Sequence, residues 1–425
     1  MVREVDILAL PSIKAAFFPI TKYVARSARQ ANANLVIITG GAHVSYRDFE
    51  SIREAPELDI IIRGEGENTF SEVLDHLDNL NAVSGITFQK LSDVQRNDDA
   101  PLMPGDQIPT PDYTILPFPL SQYSVRPQVS RGCPWRCDFC QDGFYWNRVR
   151  YFDIKKILQE LETIAMLQGR GTHVHFIDSI FTLNHKYVNA LLNEIISQNL
   201  GLEFSGDVRA GTLTPGLLKL MEQAGFTRIL FGVEEGDREI LDTVNKELTP
   251  EDNLSDLRMV REYTSMFITA YYVLGLPGAT PRTCEASLNF ASMLLYENLV
   301  DDISDGLFVP YPGTPPFENP EAFGIKVRKG KWGEFMRVTS NPVVSTATMS
   351  SDELAGFLMR FDRWLCLEYC RKVGITLAEL KEKPTISDEY KFPLLDLRYY
   401  MIRTGETNIC LSAKQDSRRP RNYMH

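Results

Sequence analysis

From Val125 to Val309 the chain repeats one pattern, a short apolar run followed by a stretch of helical periodicity. The runs are Gln128–Ser130, His173–Asp178, Leu202–Asp207, Arg228–Val233, Phe267–Leu274 and Ile303–Val309. Amphipathic stretches fall between them at Ile154–Leu167, His185–Ile196, Leu213–Ala224 and Glu285–Tyr296. Apolar strands alternating with helices are the pattern of a parallel sheet wrapped by helices. The expectation is a regular strand–helix barrel, whose chemistry sits at the carboxyl ends of its strands.

The first run leads into Arg131-Gly-Cys-Pro-Trp-Arg-Cys-Asp-Phe-Cys-Gln141, which places Cys133, Cys137 and Cys140 in one short loop spaced C-x3-C-x2-C. Thiolates this close together are how proteins hold zinc or iron–sulfur clusters. Structural zinc wants four protein ligands, and the next downstream candidate is only His173. A cubane held by three thiolates leaves one iron open to a small molecule, so the spacing favours a catalytic [4Fe–4S] cluster. The bland alternative is three unrelated thiols in a turn.

With Phe139 just before the last cysteine, this loop resembles the signature of the radical S-adenosylmethionine (SAM) enzymes. The resemblance implies that SAM chelates the open iron and that the reduced cluster cleaves it to a 5′-deoxyadenosyl radical. The protein then positions the cofactors and shields the radical. It also implies that the strand–helix repeats form the partial (β/α)6 barrel of that superfamily.

The part before the barrel reads as a smaller doubly wound sheet. Asp6–Leu10, Leu35–Gly41, Asp59–Gly64 and Gly85–Gln89 are strands, and a helix is expected over Asn68–Leu77. Gly40 and Gly41, and Gly64-Glu-Gly66, lie where ligands sit in such sheets, and glycine there serves a close backbone approach or a tight turn. Gly40-Gly-Ala-His-Val44 and Arg63-Gly-Glu-Gly-Glu67 resemble the later strands of the cobalamin-binding domain at the front of one branch of these enzymes. Two earlier strand–helix units of that domain have no counterpart. Two readings stay open: the domain binds no cobalamin, or binds it in a reduced way. His43 reads as an ordinary loop histidine rather than a cobalt ligand.

Several strand ends carry polar residues that a core does not need. Asp178 and Thr182 follow the second run, where similar enzymes bind the SAM amino group or ribose. Arg209 resembles the arginine that pairs with the SAM carboxylate, for which a guanidinium fork is suited. Glu234 is similar to a SAM-contacting glutamate, and the Gly275-Leu-Pro-Gly278 turn is placed for backbone contact with adenine. With Gly40 and Gly41 these complete the expected cofactor-binding set. Asp207, Glu235 and Tyr271 are the acid–base candidates near a substrate. The alternative for each carboxylate is a helix cap or a solvated loop.

Other constellations read as structural. His173 and His175 share a strand face without a third ligand. Cys366 and Cys370, one helical turn apart, read as small hydrophobes, although with Cys410 they can be imagined around a second cluster. Cys284 stands alone. Ser351–Lys372 is an amphipathic helix expected to cap the barrel.

The expected domains are 1–91, a truncated cobalamin-binding-like Rossmann domain; 92–122, a proline-punctuated linker; 123–315, the barrel; and 316–425, a mainly helical region. A net charge of −11 gives no basic surface for nucleic acid, and no apolar stretch reaches the length of a membrane span. Seven cysteines without disulfide-like spacing fit a reducing cytoplasm. The expected function is radical attack on an unactivated C–H bond of a small molecule, fed by a one-electron donor such as flavodoxin or ferredoxin. The outcome is cobalamin-dependent methylation or, alternatively, a cobalamin-free dehydration, epimerisation or oxidation of a sugar-like intermediate. A non-catalytic metal-binding scaffold is the distant third reading.

Overall fold

The structure is a computed structural model, and it describes residues 5–90, 93–117, 119–120, 125–146, 148–337, 341–373 and 376. Cys410 and the basic stretch near residue 420 lie outside the described residues. Two compact units make up the chain. One comprises the described parts of Met1–Pro109, Gly132–Arg150 and Val309–Met336; the other those of Thr110–Arg131, Tyr151–Phe308 and Arg337–His425. The units therefore cut across the linear blocks expected from the sequence.

The first unit is built on strands β1 (Ile7–Pro11), β2 (Val36–Gly40), β3 (Ile60–Ile62), β4 (Ile86–Lys90) and β5 (Asp93–Arg96), which lie side by side in that order. Helices α1 (Phe18–Ala31), α2 (Ala42–Tyr46), α3 (Asp48–Glu54) and α4 (Glu67–Asp75) link the early strands. Strands β1 to β3 are parallel, as their apolar runs predict. Strands β4 and β5 run antiparallel, which corrects the wholly parallel expectation. Arg63 explains the return. Its buried guanidinium donates to the Ile86 and Asn97 carbonyls and to Thr87 and Asp99, so it staples the end of β3 to the hairpin. Ile38, Ile60, Ile62, Val73, Ile86 and Phe88 form the core on one side of the sheet. β5 also takes up the first residues that composition had assigned to a linker.

The connection through the cysteines holds only short elements, β6 (Ser130–Arg131), α5 (Asp142–Tyr145) and β7 (Arg150–Tyr151).

The second unit alternates as its sequence predicts: α6 (Ile154–Gln168), β8 (His173–Phe176), α7 (His185–Gln198), β9 (Glu203–Val208), α8 (Pro215–Gln223) and β10 (Phe226–Glu234). It continues through α9 (Arg238–Thr243), α10 (Pro250–Tyr263), β11 (Phe267–Tyr272), α11 (Pro281–Tyr296) and β12 (Asp302–Ser304). Strands β8 to β12 form one five-stranded sheet in sequential order, every pair parallel. Five of the six expected strands thus build the sheet. The remaining run, at Gln128–Ser130, stays out of that sheet: its last residue begins the short β6, and Pro127 just before the run accepts from Ile177 N–H at 3.1 Å. Under the sheet Phe176, Phe181, Phe204 and Phe226 stack with centroids 5.0–6.0 Å apart. Gly206 sits among them, where an added Cβ would come within 3.3 Å of Phe181.

After the barrel come α12 (Pro315–Glu318), β13 (Ile325–Val327), β14 (Val344–Thr346) and the long α13 (Ser351–Val373). Helix α13 buries Leu354, Phe357, Leu358, Phe361 and Leu365, the stripe its periodicity predicts.

Candidate active site

The loop that carries the three thiols is folded tightly on itself. Gly132 has φ +102°, and a Cβ there would collide with the Arg148 carbonyl; one at Gly143 would collide with the Trp135 carbonyl. Only glycine lets the chain close at both points. Cys140 N–H donates to the Cys137 carbonyl at 3.0 Å, turning the chain between these thiols. Phe139 is half-buried inside that turn. Burial first, and then the Asp142 carboxylate and the charges on Cys137 and Cys133, push the Cys140 thiol up. The three sulfurs are thus within electrostatic reach of one another.

Within the same unit this loop is tied to the front sheet. Tyr145 Oη donates to the Gly64 carbonyl at 2.8 Å, just past the carboxyl end of β3. The Arg150 guanidinium reaches Glu65 Oε2 and the Met103 carbonyl, each at 2.7 Å, and both partners of the ion pair are buried. Gln141 donates to the Pro312 carbonyl at 2.6 Å, and the neighbouring Gly313, with φ +85°, packs against the Tyr46 ring. Tyr46 in turn lies 6.0 Å from the Tyr145 ring.

The strand ends of the second unit carry the other half of the expected chemistry. Asp207, on β9, is partly exposed and lies 3.4 Å from Nε2 of His175 on β8. His175 Nδ1 is 2.9 Å from Ser205 Oγ. Tyr271, on β11, has its phenol pushed up by burial and then by the Asp207 carboxylate. Glu234 ends β10 with φ +66°, at a register shift against β11, and pairs with Lys246 Nζ at 2.9 Å. A non-glycine residue in that conformation is strained, and such strain collects at functional sites.

Two family models match this chain: the radical SAM superfamily over residues 128–291 and the B12 binding domain over residues 2–74. The chain carries a radical SAM domain behind a domain of the B12-binding type. A relative from Pyrococcus horikoshii, carried under the name uncharacterized methyltransferase, is 26% identical over 84% of this chain and 77% of its own length. The anaerobic magnesium-protoporphyrin IX monomethyl ester cyclase of Rubrivivax gelatinosus is 26% identical over 83% of this chain, which spans only 64% of that relative. Among solved structures, the radical SAM methyltransferase TsrM from Kitasatospora setae, with cobalamin and a [4Fe–4S] cluster bound, superposes with TM-score 0.66 at 18% identity. That match covers 78% of this chain and 71% of TsrM. The cobalamin-dependent radical SAM enzyme OxsB gives 0.66 at 17% identity over 94% of this chain and 62% of OxsB. At these identities the structural likeness bears on the fold.

This radical SAM enzyme uses a [4Fe–4S] cluster and SAM, and its thiol loop has the donor set a cluster needs. Among the described residues no three His, Cys, Asp or Glu side chains converge on one metal ion. A cubane takes each thiolate on a separate iron, so a single-ion geometry is not what it requires. Ligation also deprotonates the thiols outright, offsetting the raised Cys140.

Several residues that the resemblance pointed to also have partners within the protein. Asp178 is buried, accepting from Val129 N–H at 3.1 Å and from Ser130 Oγ at 2.5 Å. Burial raises its carboxyl to about 6 against these hydrogen bonds. Thr182 is fully buried on the Thr212 hydroxyl at 2.6 Å. The buried Arg209 guanidinium donates to the Lys246 carbonyl at 2.5 Å. Gly275, with φ +75°, abuts Leu354 of α13, where a Cβ would come within 3.0 Å, so that side of its turn is packed by the helix. Gly41, with φ +124°, abuts the Ser12 backbone, and Gly40 accepts from Ser12 N–H at 2.7 Å. Their close approach is to the chain itself. Glu235 is buried with Gly236 N–H on its Oε1 at 2.9 Å, and burial raises it to about 8.

His43 is likewise in the core and not on a loop. It lies between the Phe18 and Trp332 rings, with both ring nitrogens unpartnered and its imidazole pushed down to about 4 by burial. Sequence reasoning missed Tyr145, Arg150 and Lys246. Each acts through a partner remote in sequence, for which spacing carries no signal; only the R-G-E-G-E match drew attention to Glu65.

Proposed function

We propose that this radical SAM enzyme is cobalamin-dependent and transfers a methyl group to an unactivated carbon of a small molecule. The observation that carries this is the tie between the thiol loop and the carboxyl end of β3, through Tyr145–Gly64 and Arg150–Glu65, inside one compact unit. A sheet of the B12-binding type is thereby linked to the cysteines rather than standing apart as a vestige. In this reading Cys133, Cys137 and Cys140 hold the cluster, which supplies one electron to the SAM sulfonium. Cobalamin, when bound, supplies a carrier for the methyl group. Strands β1, β2 and β3 are parallel, so their carboxyl ends lie at one edge of the sheet. Gly64 has open space where a side chain would stand, and Ser12 Oγ is buried without a partner among the described residues. Those features fit a group that approaches the backbone closely.

On the barrel side, Asp207 with His175 and Tyr271 form the polar set available to orient SAM or substrate. Glu234, held by Lys246, presents a carboxylate of fixed direction. The substrate class, an external flavodoxin- or ferredoxin-like donor and a reducing cytoplasmic setting belong to the same proposal. No helix among the described residues is long and apolar enough to cross a membrane.

A cobalamin-free radical dehydration, epimerisation or oxidation is the second reading, and one observation favours it. β1 is the sheet's edge among the described residues, and Ile13, Phe17, Ile20 and Tyr23 after it are exposed by 51–73%, an edge that no further element among those residues covers. Anaerobic reconstitution with product analysis separates the two. Methyl transfer gives S-adenosylhomocysteine together with 5′-deoxyadenosine and retains corrin absorbance; the second reading gives deoxyadenosine alone. Full SAM cleavage and an intact cluster in Cys137→Ala would overturn both.

A further inference from the structure

Resting on the assignment of the cluster to the three thiols, we propose that two buried carboxylates, Asp178 and Glu65, are positioning residues that hold the two roots of the cysteine loop. The first root is Val129–Ser130, immediately before Arg131 and the closing Gly132. Asp178 takes both donors there, the Val129 amide and the Ser130 hydroxyl, one on each carboxylate oxygen. It does so from two residues beyond the end of β8. Tyr187 closes the same place from α7, its hydroxyl donating to the Phe152 carbonyl at 2.8 Å and reaching the Val129 carbonyl at 3.3 Å.

The second root is Arg150. Its side chain is 6% exposed, and Nη1 reaches Glu65 Oε2 and the Met103 carbonyl; Met103 N–H returns to the same Glu65 oxygen at 2.9 Å. Glu65 therefore gathers Arg150 and the 103 backbone onto the loop that ends β3. Carboxylates suit both places because each must take two donors at once, which one neutral amide oxygen does less strongly. Neither side chain is then a SAM ligand. They act through the loop, whose thiols must be set to within a fraction of an ångström for the open iron and SAM to meet productively.

The test uses the anaerobically reconstituted full chain in four forms: parent, Ser130→Ala, Asp178→Asn and the double variant Glu65→Leu/Arg150→Met. Ser130→Ala removes one small donor and is the mildest of the changes. The double variant replaces a buried ion pair by apolar groups of similar size, so neither charge is left unpaired, and the loss at the Met103 amide and carbonyl is read from its melting temperature. The readouts are iron and sulfide content, the melting temperature, and the EPR spectrum of the reduced cluster titrated with SAM. The expected result is a parent-like fold and iron content. The SAM concentration that half-shifts the spectrum should rise by about tenfold in Asp178→Asn and in the double variant, and less in Ser130→Ala. Iron lost from a chain that still melts like the parent supports the proposal too, because the thiols were untouched. Parent-like SAM titrations in Ser130→Ala and in either other folded variant would overturn it. A parent chain with no [4Fe–4S] signal would instead overturn the cluster assignment beneath it.

Discussion

Glu235 offers the sharpest physical test of the barrel. Its carboxyl is 3% exposed, accepts from the Gly236 amide and stays protonated up to about pH 8, chiefly through burial. In the unfolded chain the same group titrates near its ordinary 4.5. Between those values the folded state keeps a proton that the unfolded state has released. Stability from this group is therefore fully present below pH 4.5 and is lost as pH rises towards 8. The interval is about 3.5 pH units at about 1.36 kcal/mol each, so the loss is about 5 kcal/mol. Glu235→Gln keeps the acceptor for Gly236 N–H and cannot ionise, so it should remove the slope. The assay is urea unfolding of parent and variant at pH 5, 6.5 and 8. The two should be similar at pH 5, and the variant should be the more stable by several kcal/mol at pH 8. Parallel pH profiles would refute the reasoning, since every other titrating group is common to both proteins.

Other perturbations follow from contacts described above. Lys246→Met leaves the Glu234 carboxylate half-buried without its cation and should cost about 3–5 kcal/mol, read as a shift in the urea midpoint. Gly41→Ala forces a Cβ to within 2.7 Å of the Ser12 backbone at φ +124°, so a loss of several kcal/mol and poor soluble yield are expected. Leu354→Ala opens a cavity over Gly275 and should lower stability by about 2–5 kcal/mol, with no recovery if Gly275 also becomes Ala, since φ +75° strains any Cβ there whatever the space. Cys137→Ala should abolish the reconstituted iron–sulfur absorbance while leaving the melting temperature of the cluster-free chain near that of the parent.

Much of the fold was legible because its signals are local. Ile229, Leu230 and Phe231 are all buried, and so read as one apolar run. Thr214, Thr249 and Thr280 each cap a helix that begins with proline, a signal visible in the chain itself. The cysteine loop was legible for the same reason. The antiparallel return of β4 and β5 was not, because it depends on Arg63 reaching carbonyls more than twenty residues away. Strand-end carboxylates were the least legible. Asp178 sits where a ligand-binding acid would sit, yet its donors are Val129 and Ser130, and no pattern of residue types announces a backbone amide as a partner. Glycines are ambiguous in a related way. Gly41 and Gly275 do mark close approach, but residue type cannot say whether the neighbour is a ligand or another part of the chain. Glu234 shows the converse, a strained backbone at a residue that gives no hint of it.

The interleaving of the two units has a consequence for biosynthesis. The front sheet and the cysteine loop leave the ribosome early, yet Val309–Met336, which supplies the Pro312 carbonyl for Gln141 and the Trp332 ring against His43, belongs to the same body. At translation rates of about 5–20 residues per second, that last piece follows Arg150 by roughly ten to thirty seconds. Throughout that interval the thiols are made but their unit is unfinished, while the barrel is synthesised between them and their final packing. The chain thus has a built-in waiting period during which its cysteines stand ready before their surroundings close.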